Sequence, residues 1–206
     1  YNMNLVDRVK NILITPKTEW EVIKNEQSST ADLFTKFAMI LAIIPVLATF
    51  IGQSVIGISL GPFGSYKIPI TNGLIYAVIY YILSLAGVYL VAFIIDALAP
   101  SFGSTKNMDA SLKVAVYSYT AAWIAGIFGA IPVLAILGIA GLYSLYLMYL
   151  GLKIVKDTPP DKLVGYLVVV IILAIVVYFV IGMIVAAIAL PSFGSLDSLK
   201  GFDLGN

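Results

Sequence analysis

Residues 114–152 read VAVYSYTAAWIAGIFGAIPVLAILGIAGLYSLYLMYLGL and contain no charged side chain. As one α-helix this stretch would be roughly 58 Å long at 1.5 Å per residue, which far exceeds the ~30 Å hydrocarbon core of a bilayer. Gly129-Ala130-Ile131-Pro132 stands near its middle, and a proline removes a backbone donor and disfavours helix at the residue before it. We therefore predict a tight helical hairpin made of two short membrane spans. The alternative is one long kinked helix.

Three other charge-free runs lie outside this stretch, at 37–66, 68–95 and 163–196. Each is long enough to hold a membrane helix of ~20 residues. The composition agrees, because 11% of the residues are charged, against about 25% in soluble domains. The sequence thus predicts an all-α polytopic membrane protein with a five-helix transmembrane domain at 34–190. The expected spans are 34–57, 73–98, 112–130, 133–155 and 164–190.

Lysines and the single arginine are distributed unevenly between the ends of these spans. With the N-terminus in the cytoplasm, ten of the twelve fall on the cytoplasmic side, and Lys67 and Lys200 fall on the other. Cytoplasmic loops carry such an excess of basic residues. We therefore expect a cytoplasmic N-terminus, an uncleaved first span and a short extracytoplasmic tail at 191–206. Merging the two spans of the hairpin would reverse the side of the loop between Lys153 and Lys162, so the bias favours an odd number of spans.

Residues 1–33 precede the first span and are predicted to form a cytoplasmic helical segment. Leu5 and Ile12 recur at helical spacing between charged residues, as in an amphipathic helix that lies on a membrane surface. Thr15-Pro16 can end this helix and begin another. Trp20 in that second helix suits the headgroup region.

Asp96 is the one acidic residue inside or at the edge of a predicted span. Acidic side chains there are costly, and they usually face the bundle interior or water together with a partner. Lys113, at the start of the third span, is the expected partner. The pair is either a proton or cation site or a carboxylate wetted at interface depth. The second interpretation is favoured because few residues separate Asp96 from the following loop.

Tyrosine is unusually common, at 13 of 206 residues. Tyr143, Tyr146 and Tyr149 follow one another at spacings of three, so they stay near one side of a helix. With Tyr117 on the third span, they could line a polar groove between spans three and four together with three hydroxyl side chains: Ser118, Thr120 and Ser144. A packing seam with internal hydrogen bonds is the favoured interpretation, since a buried phenol needs a partner.

Small residues recur along three spans at spacings that let helix backbones approach. They form three sets: Ala135, Gly138, Gly141 and Ser144; Gly126 and Ala130; Gly182 and Ala186. Such faces predict close helix packing, either within the chain or in a homo-oligomer.

Several classes of function are excluded by composition. Cysteine and histidine are absent, which excludes disulfides, Cys/His zinc sites, histidine ligation of haem and Ser-His-Asp triads. There is no nucleotide-binding loop and no pair of carboxylates within the spans, so we expect no enzymatic activity, no cofactor and no metal. The net charge of +1 provides no basic face for nucleic acid. Membrane lipids are the expected partners.

Several stretches carry a family resemblance: Ile12-Leu13-Ile14-Thr15-Pro16-Lys17-Thr18-Glu19-Trp20, Tyr117-Ser118-Tyr119, Ile131-Pro132, Leu142-Tyr143-Ser144-Leu145-Tyr146, Tyr149-Leu150-Gly151-Leu152, Thr158-Pro159 and Gly165-Tyr166. Together they resemble the Yip (Ypt/Rab-interacting protein) domain family of integral membrane proteins, in its prokaryotic form. The resemblance implies five transmembrane helices and a cytoplasmic N-terminus. Eukaryotic members bind Rab GTPases in ER–Golgi traffic, but they carry a longer N-terminal region, so the resemblance gives little support to Rab binding here.

These observations favour a non-enzymatic scaffold in a prokaryotic plasma membrane, which organises lipids or partner proteins in membrane trafficking or homeostasis. The alternative is a small transporter or channel, in which Asp96 and the tyrosine and serine face line a path. An intramembrane enzyme is the least expected, because the spans lack a carboxylate pair.

Overall fold

The computed structural model describes residues 4–59, 65–193 and 202–203, so most of the predicted tail, 191–206, lies outside it. The described chain is almost entirely helical, which confirms the all-α class. Its helices, in chain order, are α1 (Leu5–Ile14), α2 (Pro16–Asn25), α3 (Thr30–Ile56), α4 (Ile70–Phe102), α5 (Met108–Ser118), α6 (Thr120–Ala125), α7 (Pro132–Ile154) and α8 (Pro160–Phe193).

Three two-residue strands, which the sequence did not predict, form a small antiparallel sheet. They are β1 (Ile58–Ser59), β2 (Ser65–Tyr66) and β3 (Phe202–Asp203), in the order β1-β2-β3. Ile58 pairs with Tyr66, and Ser65 pairs with Asp203. The sheet therefore ties the connection between α3 and α4 to the segment that follows α8.

Four of the described helices, α3, α4, α7 and α8, are long and apolar enough to cross a membrane. The predicted third span, 112–130, is instead divided among α5, α6 and a 3₁₀ segment, Gly126–Ala130. α5 ends at a turn around Tyr119, where the Thr120 hydroxyl donates to the Tyr117 carbonyl at 2.7 Å. Local bonding of this kind competes with the regular helical pattern, and α5 and α6 are separated at Tyr119 where the uncharged sequence suggests one continuous helix.

The break predicted before Pro132 is present. Ile131 is extended, with φ −120° and ψ 106°, as expected for a residue that precedes proline. Its carbonyl accepts a hydrogen bond from the Leu134 N–H at 2.8 Å, which starts α7. The first half of α7, Pro132–Leu142, is a 3₁₀ helix, and Tyr143–Ile154 is α-helical.

The core is concentrated at one end of the bundle, where α1 and α2 lie against α5 and α7; we call α1 and α2 the N-terminal cap. Trp20 is fully buried there, and a Cβ added at Gly151 would come within 2.9 Å of its ring. The Trp20 ring also meets Tyr117 edge-on, with centroids 6.3 Å apart. The cap is thus packed into the bundle through its apolar face.

Large apolar side chains cover the outside of the remaining helices. On the 3₁₀ half of α7 they repeat every third residue and are strongly exposed, at Val133, Ile136, Ile139 and Leu142. A soluble domain rarely exposes so continuous an apolar surface. These side chains are suited to the hydrocarbon of a bilayer, which acts as their solvent.

Candidate functional site

The N-terminal cap is held by a buried arginine. Arg8 is 4% exposed, and its guanidinium forms ion pairs with Glu19 and Glu26. The same group lies 5.5 Å from the centroid of the Tyr117 ring, within the range of a cation–π contact. Sequence analysis missed this role of Arg8. A signal existed, because Arg8 lies three residues after Leu5 and four before Ile12, on the apolar face of α1.

Lys113 joins the cap to α5, and the predicted pairing with Asp96 is wrong. The Lys113 Nζ donates to the Ile23 carbonyl at 3.0 Å and to the Glu26 carbonyl. Lysine near a helix C-terminus satisfies carbonyls that have no helical partner. The physical reason for the error is rotational: Ser111, which does contact Asp96, lies about 200° around the helix from Lys113. Asp96 and the cap therefore lie on opposite sides of α5.

Asp96 is bound instead by the loop after α4 and by Lys156. Its Oδ1 accepts from the Asn107 N–H at 2.7 Å and from the Ser111 hydroxyl at 3.3 Å. The Lys156 Nζ lies 3.7 Å from the same oxygen. The charge of the carboxylate is therefore paired with that of Lys156, and its hydrogen bonds connect the end of α4 to the start of α5.

Lys156 is the second residue that sequence analysis missed. Its side chain is 1% exposed, and its Nζ also donates to the Thr105 carbonyl at 2.8 Å and to the Ser111 hydroxyl at 3.0 Å. Burial lowers the pKa of Lys156, and the charge of Asp96 opposes that shift. The sequence showed this lysine only as one of several loop lysines, so its burial was not foreseeable.

The predicted tyrosine groove does not form as one surface. Tyr117 is buried against Phe37, with ring centroids 4.7 Å apart. Tyr143 donates from its hydroxyl to the Leu13 carbonyl at 3.2 Å, which contacts the cap. Tyr146 is 39% exposed, and Tyr149 is partly buried at the edge of the core. Of these contacts, the Tyr143 hydrogen bond joins the cap to the bundle, whereas the contact of Tyr117 with Phe37 lies within the bundle.

A cavity of about 390 Å³ does lie deeper in the bundle, between α3, α4, α7, α8 and the Ser118–Trp123 stretch. We call it the intramembrane cavity. Ser118 and Ser144, which the sequence assigned to a groove, line it. Its remaining lining residues include Ala42, Tyr80, Ser84, Tyr119, Trp123, Leu145, Met148, Ile171, Ala174, Ile175 and Tyr178.

Hydroxyl groups in this cavity differ in their bonding. The Ser84 hydroxyl donates to the Tyr81 carbonyl at 2.8 Å, and Ser144 Oγ accepts from the Ala122 N–H at 3.0 Å. Ser118 is fully buried, and its Oγ has no hydrogen-bond partner among the described residues. No group of three acidic side chains in the described part of the chain could hold a metal ion.

Apolar membrane-crossing helices, a buried cap and an internal cavity together define an integral membrane helical bundle. The sequence pattern of the Yip1 domain matches residues 10–197. The chain therefore belongs to the Yip1 domain family, which confirms the resemblance seen in the sequence.

Two curated relatives are similar to this chain, the Inner membrane protein YohC of Escherichia coli (strain K12) and that of Escherichia coli O6:H1 (strain CFT073). Each is 28% identical over 117 residues, which cover 57% of this chain and 60% of the relative. The chain thus matches about three fifths of the length of these relatives. No solved structure matches the chain.

Proposed function

We propose that this Yip1-domain chain is a non-enzymatic scaffold of the plasma membrane, and that its N-terminal cap is a cytoplasmic docking platform for a protein partner. The proposal counts α5, α6 and the segment that follows them as a fifth span, which places the two chain ends on opposite sides of the membrane. This topology follows from the distribution of lysines between the ends of the spans. The inner-membrane name of the curated relatives supports the plasma membrane as its location.

The observation that carries this proposal is the burial of Arg8 between Glu19 and Glu26. A helix that only lies on a membrane surface needs no buried ion pair, and burying charged groups costs free energy. These ion pairs fix α1 against α2, and the contact of the Arg8 guanidinium with the Tyr117 ring joins both helices to α5. A fixed surface is what a docking platform requires, because a preordered surface loses less entropy when a partner binds.

The outer face of the cap is available for such contacts. On α1, Val6 is 72% exposed and Ile14 is 67% exposed, and Lys10 lies between them and is exposed. On α2, Lys17 and Glu21 are also exposed. Apolar side chains interspersed with both signs of charge suit a polar-rimmed protein interface. The proposed partner is therefore a protein with a mixed apolar and charged surface.

The competing function is a small transporter or channel with Asp96 on its path. In such a protein the carboxylate would meet the solute, but Asp96 is bonded to Asn107 and Ser111 and faces Lys156. The arrangement favours a structural role for Asp96 and supports the scaffold.

The test is site-specific photo-crosslinking in bacterial cells that express the chain. A photoreactive residue replaces Lys17 on the cap or, as a control, Val168 on the outer face of α8. We expect a discrete protein adduct from position 17 and none from position 168. Arg8→Met should lower the yield of the adduct while the chain remains in the membrane.

Two results would overturn the scaffold. One is the absence of a protein adduct from every exposed cap position. The other is a solute or ion flux in liposomes that the wild-type chain supports and Asp96→Asn abolishes. Labelling of the two chain ends in intact cells tests the topology, with opposite compartments expected.

A further inference from the structure

We propose that the intramembrane cavity is a binding site for a membrane glycerolipid, in which one acyl chain fills the apolar part and Ser118 donates a hydrogen bond to an ester carbonyl. This site lies apart from the cap, so the inference goes beyond the docking function and does not depend on it.

The unpaired hydroxyl of Ser118 is the first argument. A serine inside a helix commonly donates to a carbonyl three or four residues earlier, as Ser84 does to Tyr81. Ser118 is fully buried and lines the cavity, yet its Oγ has no partner among the described residues. In hydrocarbon no water can satisfy such a group. A ligand that supplies an acceptor would complete its bonding.

The lining of the cavity selects the class of ligand. Its described lining residues carry no charged side chain, and most of them are apolar, such as Ala42, Met148 and Ile171. Desolvating an ion there would be costly, because no counter-charge is present. An ester carbonyl is an acceptor without a donor, which matches the hydroxyl of Ser118.

The position of the opening selects a ligand that is already in the bilayer. Leu145 and Ile175 line the cavity and are also exposed on the outer surface, at 38% and 63%. The cavity is therefore open sideways, toward the lipid-facing side of α7 and α8. Its volume of about 390 Å³ lies within the usual range of small-molecule sites. A partner α-helix is 10–12 Å wide with its side chains, so it could cover the opening but not enter.

Trp123 supplies the assay, because it lines the cavity. The other tryptophan, Trp20, is fully buried under the cap and contributes a constant background. The full-length chain is reconstituted into phosphatidylglycerol vesicles that contain increasing fractions of a phosphatidylcholine with brominated acyl chains. Bromine quenches tryptophan fluorescence on contact. We expect quenching to approach saturation at low fractions of brominated lipid. Quenching by random contact with the bilayer would instead rise in proportion to the brominated fraction.

The role of Ser118 is tested by crossing a substitution with a change of lipid. Ser118→Ala should raise the half-saturating fraction of ester-linked lipid about fivefold, as expected for one lost hydrogen bond. An ether-linked brominated lipid, which lacks the carbonyl, should show the same weakening with the wild-type chain and no further weakening with Ser118→Ala. Ser54→Ala is the matched control and should leave the curve unchanged. Ser54 is also buried and has no hydrogen-bond partner in the described part of the chain, but it does not line the cavity.

Ala174→Phe fills the cavity from α8 and should abolish the saturable component. The ether lipid requires no substitution, so the proposal stays testable even if Ala174→Phe fails to fold. The site would be refuted if quenching follows average lipid composition in the wild-type chain, as it would if a protein segment covered the opening. It would also be refuted if ester and ether lipids give the same curve. Neither result bears on crosslinking at the cap, so the two proposals fail separately.

Discussion

Removal of the Arg8 charge tests how the N-terminal cap is held. Arg8→Met keeps an unbranched apolar stem but removes the guanidinium, which leaves Glu19, 3% exposed, without its buried partner. Breaking a buried ion pair in this way costs about 3–5 kcal/mol. Glu26 is the more solvated member, with a side chain 28% exposed, so we expect about 3 kcal/mol, at the lower end of that range.

This loss should appear as opening of the cap while the bundle stays folded, because Arg8 on α1 contacts Glu19, Glu26 and the Tyr117 ring. A change of about 3 kcal/mol increases the population of the open cap about a hundredfold. Cleavage by trypsin at Lys10 and Lys17 requires those helices to unwind, and the rate follows the open population when opening is fast. The assay is therefore limited trypsin digestion in detergent micelles, followed by mass spectrometry.

A double substitution and a surface control make the result specific. Arg8→Met with Glu19→Met should return the cleavage rate to within about tenfold of wild type, since a hydrophobic pair often replaces a buried ion pair without loss. Lys36→Met breaks the exposed Lys36–Asp32 pair and should change the stability by less than about 1 kcal/mol. The proposed role of the Arg8 ion pairs in holding the cap is refuted if Arg8→Met is digested as slowly as wild type. It is also refuted if the double variant is digested faster than the single one.

Two further predictions concern the bundle. The pKa of Lys156 is lowered below 10.5 in the folded chain, so the unfolded chain binds more protons between those two pKa values and stability should rise with pH there. Asp96→Asn removes the charge that opposes this shift and should widen the pH window, as measured by thermal unfolding in micelles between pH 7 and 10.5; an unchanged profile would contradict it. Gly151→Leu should lower the unfolding temperature and open the cap, because the new side chain meets Trp20. Gly182→Leu should change stability by less than about 0.5 kcal/mol, since nothing lies within 4 Å of a Cβ there; equal losses in both variants would be evidence against this packing.

The sequence predicted the helical class and most helix positions because charge-free length is a strong local signal. It also located the break before Pro132, where the backbone restriction is local. The interruption at Tyr119 was not predictable, because it depends on local bonding between Thr120 and Tyr117 and on contacts with other helices. Apolar composition specifies that a segment enters lipid but does not specify whether its helix is continuous.

The partners of Asp96 were harder to predict than its importance. The free-energy cost of placing a carboxylate in or near the membrane indicated that Asp96 needed a partner. Choosing between Lys113 and Lys156, however, requires knowledge of the rotation of α5 and of the path of the loop after α7.

The small-residue faces show the same limit of prediction from sequence. Gly126 packs against Pro45 of α3, whereas a Cβ at Gly182 would meet nothing. One face is therefore an internal seam and the other is uncovered within the described chain, although their sequence patterns are alike.

The 3₁₀ winding of Pro132–Leu142 lengthens the apolar segment that follows the break at Ile131. A 3₁₀ helix rises about 2.0 Å per residue, so this segment extends about 22 Å where an α-helix would extend about 16 Å. The segment thereby spans a greater distance along its axis without additional residues. Three residues complete a turn, so the outward-facing row from Val133 to Leu142 stays straight along the helix axis. An insertion or deletion of three residues in this segment would therefore keep the same row of side chains turned toward the lipid.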